Sequence, residues 1–432
     1  MKFFKTISNI LKIEELRSRI LTTLGFLLIY RLGSFVALPG IDPQKLDALQ
    51  NQTSDGLLGL LNMFTGGAFS QASIMALGIM PYISASIVIQ LMTMAVPYLQ
   101  KLQKDGESGR NKINQITRYL TVFISSIQAP GYITNLKVTL PPDAFLLSSG
   151  SFWISSIIIL VTGTMFAMWL GEKITDGGIG NGISLLIMVG IIAVLPQSFL
   201  FEIGRVRPLI IFIELIIMLI VILASVLLIQ GVRKIPIQYA KRGSNIQASR
   251  QYMPLKVNAS GVMPIIFAQA IMFVPITFAG LSQSEKVQTF VTTFSDFSGF
   301  WYNFVFAVLI ILFTYFYTAI TINTNQMADD LKRNGGFVPG IKPGKDTANF
   351  LDGVMSKIVL PGSIFLAFIA ILPAFAMNAG INQSFAQFFG GTSLLIMVGV
   401  VLDTLQQIES YLLFRHYDGL MKSGRITGKS GM

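Results

Sequence analysis

Apolar runs near twenty residues long, separated by polar, glycine-rich or proline-rich breaks, recur along this chain. Ten can be marked, at residues 20–38, 74–96, 116–133, 152–170, 183–199, 209–229, 262–280, 301–320, 358–377 and 392–413. A helix of roughly twenty residues crosses a ~30 Å hydrocarbon core. The pattern therefore predicts an all-α integral membrane protein with ten transmembrane helices. The first stretch follows a basic segment, as in a signal peptide. It runs long, however, and ends at Leu38-Pro39-Gly40 without a small-residue cleavage site, so it is read as a retained span.

Two of the stretches share a near-identical nonapeptide. Residues 182–190 read G-I-S-L-L-I-M-V-G and residues 391–399 read G-T-S-L-L-I-M-V-G, on spans five and ten. Spans two and seven each carry an early proline, Pro81 in G-I-M-P-Y and Pro264 in G-V-M-P-I. An odd number of spans per half makes the second half insert upside down. The expectation is two inverted, pseudo-symmetric halves of five spans, with the functional site between them. Residues 1–200 form the first half and 201–413 the second, the latter with loops at 230–258 and 323–357; residues 414–432 are a tail.

Composition agrees with a membrane protein: hydrophobic residues make up 52% of the chain and charged residues 12%, against about 25% charged in soluble domains. The net charge of +11 would suggest nucleic acid, but its distribution has a simpler cause. Of the 32 lysines and arginines, all but Arg31, Lys45, Lys137, Arg205, Arg207 and Lys286 fall on the side of the termini. The positive-inside rule then makes both termini cytoplasmic. Cysteine is absent and His416 is the only histidine, in the basic tail. This removes disulfides, thiolate nucleophiles and cysteine metal sites, and no metal or cofactor is expected.

Residues 56–70, GLLGLLNMFTGGAFS, are apolar and glycine-rich but too short to span. They fit either an interfacial helix or a segment folded back into the protein. Residues 177–182, GGIGNG, connect two spans and read as a tight turn rather than a phosphate loop, since no strand precedes them. They also approach the Gly-x-Gly-Asp of intramembrane aspartyl proteases, but Asn181 stands at the acid position and cannot act as an acid–base group. Ionisable groups inside the spans are few, namely Arg31, Glu214 and Asp403; proton- or ion-coupled transporters usually need more. The two cytoplasmic loops are large for a small-solute carrier. The first holds Arg233, Lys234, Lys241 and Arg242 without an acidic residue through Asn258, and the second holds FVPGIKPG at 337–344, a pattern for a fixed, projecting turn. They read either as solvated loops that set topology or as a docking surface for a large, anionic partner such as a ribosome.

Several motifs in chain order resemble the SecY family of protein-conducting channels. They are RLGSF at 31–35, PGID at 39–42, NMFTGGA at 62–68, ALGIMPYISAS at 76–86, GESGR at 106–110 and TGTMF at 162–166. GGIGNGIS at 177–184, YAKR at 239–242, PLKVN at 254–258, FVPGI at 337–341 and GGTSLL at 390–395 complete the series. The resemblance implies a channel that passes unfolded preproteins across the bacterial cytoplasmic membrane and releases transmembrane segments sideways into lipid. It implies no enzymatic activity, the energy coming from the ATPase SecA, ribosomal elongation or the proton gradient. Expected partners are the membrane subunits SecE and SecG, SecA, the ribosome, preproteins with their signal peptides, accessory membrane translocation subunits and lipid.

By the same resemblance, Ile79, Ile83, Ile183, Ile187, Ile266 and Ile396 form a hydrophobic pore ring. The spacing adds that Ile79/Ile83 and Ile183/Ile187 are i,i+4 pairs presenting one helix face each, and an aliphatic collar excludes hydrated ions by dewetting. The segment 56–70, with Leu60, Asn62, Met63, Phe64, Gly66 and Gly67, corresponds to a plug. Gln90 and Asn258 match polar positions of a lateral gate, and Arg233, Lys234, Lys241, Arg242 and Lys342 match the SecA and ribosome docking loops. Lys342 stands where the family usually has arginine; it keeps the charge and loses the bidentate fork. The competing readings are an inverted-repeat small-solute transporter, which would need paired midplane charges and short cytoplasmic loops, and an intramembrane hydrolase.

Overall fold

The computed structural model describes residues 13–52, 56–239, 251–279 and 296–423. Each of the ten apolar stretches falls on a helix. In chain order these are α1 (Glu14–Gly33), α2 (Gly56–Phe64, a short helix between spans), α3 (Met80–Ala95), α4 (Pro97–Lys104), α5 (Gly106–Thr139), α6 (Ser149–Gly177) and α7 (Gly182–Arg205). They continue with α8 (Pro208–Gln230), strands β1 (Val232–Tyr239) and β2 (Gln251–Lys256), α9 (Met263–Ala279), α10 (Phe300–Thr321) and α11 (Thr324–Arg333). Strand β3 (Gly336–Phe337), α12 (Lys345–Asn378), α13 (Gln383–Ala386) and α14 (Gly391–Ser423) follow, and a short helix at Asp47–Gln52 and single 3-10 turns at Pro43–Lys45 and Pro142–Ala144 lie in the connections.

Among the described residues, six helices are individually long and apolar enough to cross a membrane, and a seventh if α3 and α4 are taken together. Those two are bent by 98°. The cause is Pro97: the residue before a proline is excluded from the helical region, and Val96 adopts φ −102°, ψ 114°. The helices differ sharply in surroundings. The most apolar window of α8 is 11% buried, whereas that of Gln383–Leu412, containing most of α14, is 83% buried. The first leaves most of its side chains uncovered by the chain and the second buries most of them.

Span one ends earlier, and span two begins later, than the apolar pattern predicts. Helix α1 stops at Gly33, and Ala37 instead bridges Ser73 in an antiparallel contact. Span two begins at Met80, not at residue 74: Gly78 takes φ +53°, which ends the preceding turns, and Pro81 then starts the helix. Both ends are given over to the irregular segment around residues 64–79.

The all-α expectation needs correction in the cytoplasmic loops. They contain a three-stranded antiparallel sheet in the order β2-β1-β3. In β1, Ile235 and Ile237 are buried while Lys234, Pro236 and Gln238 are exposed between and beside them, a short period-two pattern hidden by the neighbouring charges. Pro236 is tolerated because β3 pairs only with Gln238 and Tyr239, leaving Pro236 beside Tyr252 of β2 alone. Ile235, Leu255 and Val338 pack with Leu351, Met355 and Val359 of α12, which ties the sheet to a long helix.

The chain forms two compact units. One comprises residues up to the start of α2, residues 58–194 and those from Val400 onward; the other is built from 195–399. The first unit has a core of Leu38, Leu46, Leu49, Phe69, Tyr132, Ile133, Leu136 and Phe152. Within it the fully buried Tyr132 hydroxyl donates to the Phe69 carbonyl at 2.8 Å, and the two rings meet edge to face at 4.7 Å. The Tyr132→Phe substitution keeps the ring and leaves that carbonyl only the Ala72 amide at 3.3 Å. We expect a loss of about 0.5–1.5 kcal/mol, read as a lower melting temperature of the detergent-solubilised protein.

Candidate functional site

In the first unit the segment after α1 folds back among the helices. Leu60, Met63 and Phe64 of α2 are buried, as are Thr65, Ala68 and Phe69 beyond it. Because such backbone has no water to bond, its donors must find partners within the chain. The Asn62 Oδ1 accepts from the Ser70 amide at 2.9 Å, and the Thr65 hydroxyl accepts from the Phe69 amide at 3.2 Å. The Gly67 amide donates to the Asn62 carbonyl at 2.8 Å. Gly66 and Gly67 both have positive φ, +66° and +88°, which turns the chain sharply after α2. Arg31, in the last turn of α1, donates to the Gly66 carbonyl.

The first nonapeptide copy meets this turn directly. A Cβ on Gly190 would lie 2.8 Å from the Phe64 carbonyl oxygen and 3.1 Å from the Gly66 nitrogen. Ile187 precedes Gly190 by three residues and so shares its face of α7. Ile187 and Ile79 are buried, Ile83 is 9% exposed and Ile183 is half-buried. Ile79 caps α3, and its carbonyl accepts from the Ile83 amide, so both lie at the start of that helix.

The start of α7 is fixed by its turn. The Ile179 amide donates to the Thr23 hydroxyl at 3.0 Å and the Gly180 amide to Gln407 Oε1 at 2.8 Å. Arg19 donates to the Gly178 carbonyl, and Asn181 caps the Ser184 amide at 3.2 Å. Side chains of α1 and α14 thus set where Ile183 and Ile187 begin.

In the second unit Ile396 is buried on α14 and Ile266 half-buried on α9. Gly399 closes the second nonapeptide copy, and a Cβ there would strike Val262, the residue before α9. Ile266 and Ile396 each lie about one turn from that contact. The end glycines of the two nonapeptides have different neighbours: Gly190 admits the turn that follows α2, well before α3 begins, and Gly399 admits Val262 directly before α9. Gly182 is likewise pressed on Gly171 of α6, and Gly391 on Pro373 of α12.

The polar seam residues keep local partners. Gln90 donates to Ser86 one turn earlier at 3.3 Å, and the buried Asn258 accepts from the Ser260 hydroxyl at 3.2 Å. Arg233 and Lys234 are exposed on β1, and Lys342 is exposed at a tip closed by Thr347, whose hydroxyl donates to the Lys342 carbonyl at 2.8 Å. Gly340 and Gly344, with φ +84° and +104°, shape that tip. Lys241 and Arg242, and the tail beyond Ser423, lie outside the described residues.

Three features escaped sequence reasoning. The Gly190 seat had no signal beyond the repeat itself. Arg31 was visible as an intramembrane cation, but its acceptor is a backbone carbonyl with no sequence mark. Glu202, fully buried near the end of α7, accepts from Arg205 at 3.3 Å and from the Asn382 amide at 3.3 Å. Of the other intramembrane ionisable groups, Asp403 is exposed, while Glu214 is buried with its Oε2 unpaired among the described residues.

Apolar spans, a segment folded back among them and a basic sheet projecting from the loops define a multi-pass membrane channel subunit. The SecY family model matches residues 73–405. The protein translocase subunit SecY of Escherichia coli (strain K12) is 40% identical over 426 residues, covering 96% of each chain. A solved SecY structure, described by a plug domain that stabilises the closed translocation channel and maintains a membrane seal, aligns with TM-score 0.59 at 17% identity. That alignment covers 91% of this chain and 92% of the other. Canine Sec61 from a ribosome-channel complex of the endoplasmic reticulum aligns with TM-score 0.54 at 16% identity, covering 91% and 92%. The chain belongs to the SecY family. It is a protein-conducting channel subunit, not an enzyme, and the transporter reading is set aside.

The Gly399 contact makes a direct test of the packing. Gly399→Ala should destabilise the protein by about 1–3 kcal/mol through overpacking, and Val262→Ala in the same chain should recover most of it. A double-mutant cycle on melting temperature measures this.

Proposed function

We propose that the six isoleucines form the pore ring of a ten-span channel built from inverted halves, with residues 56–70 as its plug. The observation that carries this reading is the buried turn at Thr65–Gly67 seated on Gly190, on the α7 face that carries Ile187. A segment held there by a few hydrogen bonds closes the path and can leave it. Isoleucine offers no fixed hydrogen bond, so the ring accepts any polypeptide while a narrow aliphatic constriction expels water. The near-identical nonapeptides at 182–190 and 391–399 support the inverted repeat.

In this reading Gln90 and Asn258 belong to the lateral gate, through which hydrophobic segments pass into lipid. Arg233, Lys234, Lys241, Arg242 and Lys342 form the docking surface for SecA and the ribosome, supported by the exposed charges on β1 and by the closed tip around Lys342. SecE and SecG are the expected membrane partners, the location is the bacterial cytoplasmic membrane, and both termini face the cytoplasm as the basic residues indicate.

The decisive experiment addresses the ring. Ile83 and Ile187 replaced together by serine should raise the ion conductance of the resting channel in planar bilayers, whereas other aliphatic residues should preserve both seal and export. Equal conductance in the wild type and the double serine variant would remove the pore role. For the docking surface, Lys342→Glu should slow SecA-driven preprotein export into membrane vesicles at limiting SecA, while Lys342→Arg should match or exceed the wild type. A Glu variant that exports at the wild-type rate refutes the assignment.

A further inference from the structure

Arg31 is a cation near the end of an apolar helix, and no ion pair is formed by it among the described residues. Its guanidinium instead donates to the Gly66 carbonyl and to the Ser34 hydroxyl at 3.4 Å, and lies over the Phe35 ring at 4.7 Å from the centroid. Gly66 is enclosed on two sides: a Cβ there would lie 3.0 Å from Arg31 Nη1 and 2.9 Å from the Gly190 Cα. The positive φ angles of Gly66 and Gly67 turn the chain here and present that carbonyl to the cation. Ser34 also donates to the Arg31 carbonyl at 2.7 Å, which fixes the helix end from which the side chain extends.

We propose that Arg31 is a positioning residue that latches residues 56–70 in the closed channel. The inference rests on the plug reading given above. A guanidinium with few acceptors in an apolar setting favours whichever state supplies a carbonyl. The Gly66 carbonyl is supplied only while the turn is seated on Gly190. When the segment withdraws, Arg31 loses that acceptor, so the charge biases the equilibrium towards closure. Gly190 sets the depth of the seat and Arg31 holds the turn in it. A charge-assisted hydrogen bond of this kind shifts a two-state equilibrium roughly tenfold to a hundredfold.

The test measures resting ion conductance in planar bilayers containing the channel with its native membrane subunits. It compares wild type, Arg31→Leu and Arg31→Lys, each with and without deletion of residues 57–67. Arg31→Leu should raise the conductance about tenfold or more, and Arg31→Lys, which retains one charged donor, should recover part of the seal. In the deletion background Arg31→Leu should add nothing, because the group it holds is gone. If the deletion alone leaves conductance at the wild-type value, the plug reading fails. If the deletion opens the channel but Arg31→Leu does not, the latch is wrong while the plug stands. An equal rise from Arg31→Leu in both backgrounds shows that Arg31 acts through the helices, which also overturns the latch. Should Arg31→Leu fail to accumulate in membranes, Arg31→Gln against Arg31→Lys decides: the charged variant must be the less leaky.

Discussion

Backbone without water must bond to itself, and this constraint shapes the whole first unit. Between α1 and α3 the chain is neither helix nor strand for much of its length, yet it runs through the protein interior. Its amides are satisfied by scattered partners: Leu38 donates to Ala72, Ile74 to Val36, and Ser70 to the Asn62 side chain. A helix satisfies its own amides whatever surrounds it, but this segment holds its shape only because neighbouring residues supply acceptors. Arg31 from α1, at the turn itself, and Tyr132 from α5, just beyond it, provide two of the links that bind the segment to helices. The segment is fastened by these scattered bonds and by the burial of Leu60, Met63, Phe64 and Phe69, not by the ladder of a span.

Glycine makes the close approaches possible. The turn after α2 presses on Gly190, and the residue before α9 presses on Gly399. A methyl group at either place would meet backbone or the stiff, branched Val262. The nonapeptide is thus more than a shared apolar text. Its end glycines are dictated by the same physical need in both copies, while its central residues satisfy only the weaker demand of being aliphatic.

The spans were legible because an apolar run of fixed length has one physical outcome in a bilayer. The positions of the breaks were less so. Residues 34–38 and 74–79 are as apolar as the helices beside them, but Gly78, Pro81 and the pairing of Ala37 with Ser73 take them out of helical geometry. The sheet was hidden for a different reason. In VRKIPIQY the alternation of Ile235 and Ile237 is brief and set among charges, and its partner strand is separated by an intervening stretch. The candidate ring residues were legible only through resemblance, since an isoleucine in an apolar helix carries no local mark. The role of Arg31 was not legible at all, because a carbonyl is present at every residue and only the fold says which one a guanidinium finds.

The sheet has a mechanical meaning. Strand β1 leaves α8 with only Gly231 between them, and the Val257 amide returns to the Gly231 carbonyl at 2.8 Å, closing the base of the hairpin. Its buried face is bolted to α12 through Leu351, Met355 and Val359. Flexible loops would absorb a push from a large body on the cytoplasmic side as chain entropy. The two described strands instead join α8 at their base and are fixed along a helix of 34 residues. A load on them would be carried to α8 through the chain and to α12 through this packed face, because neither connection passes through a long loop.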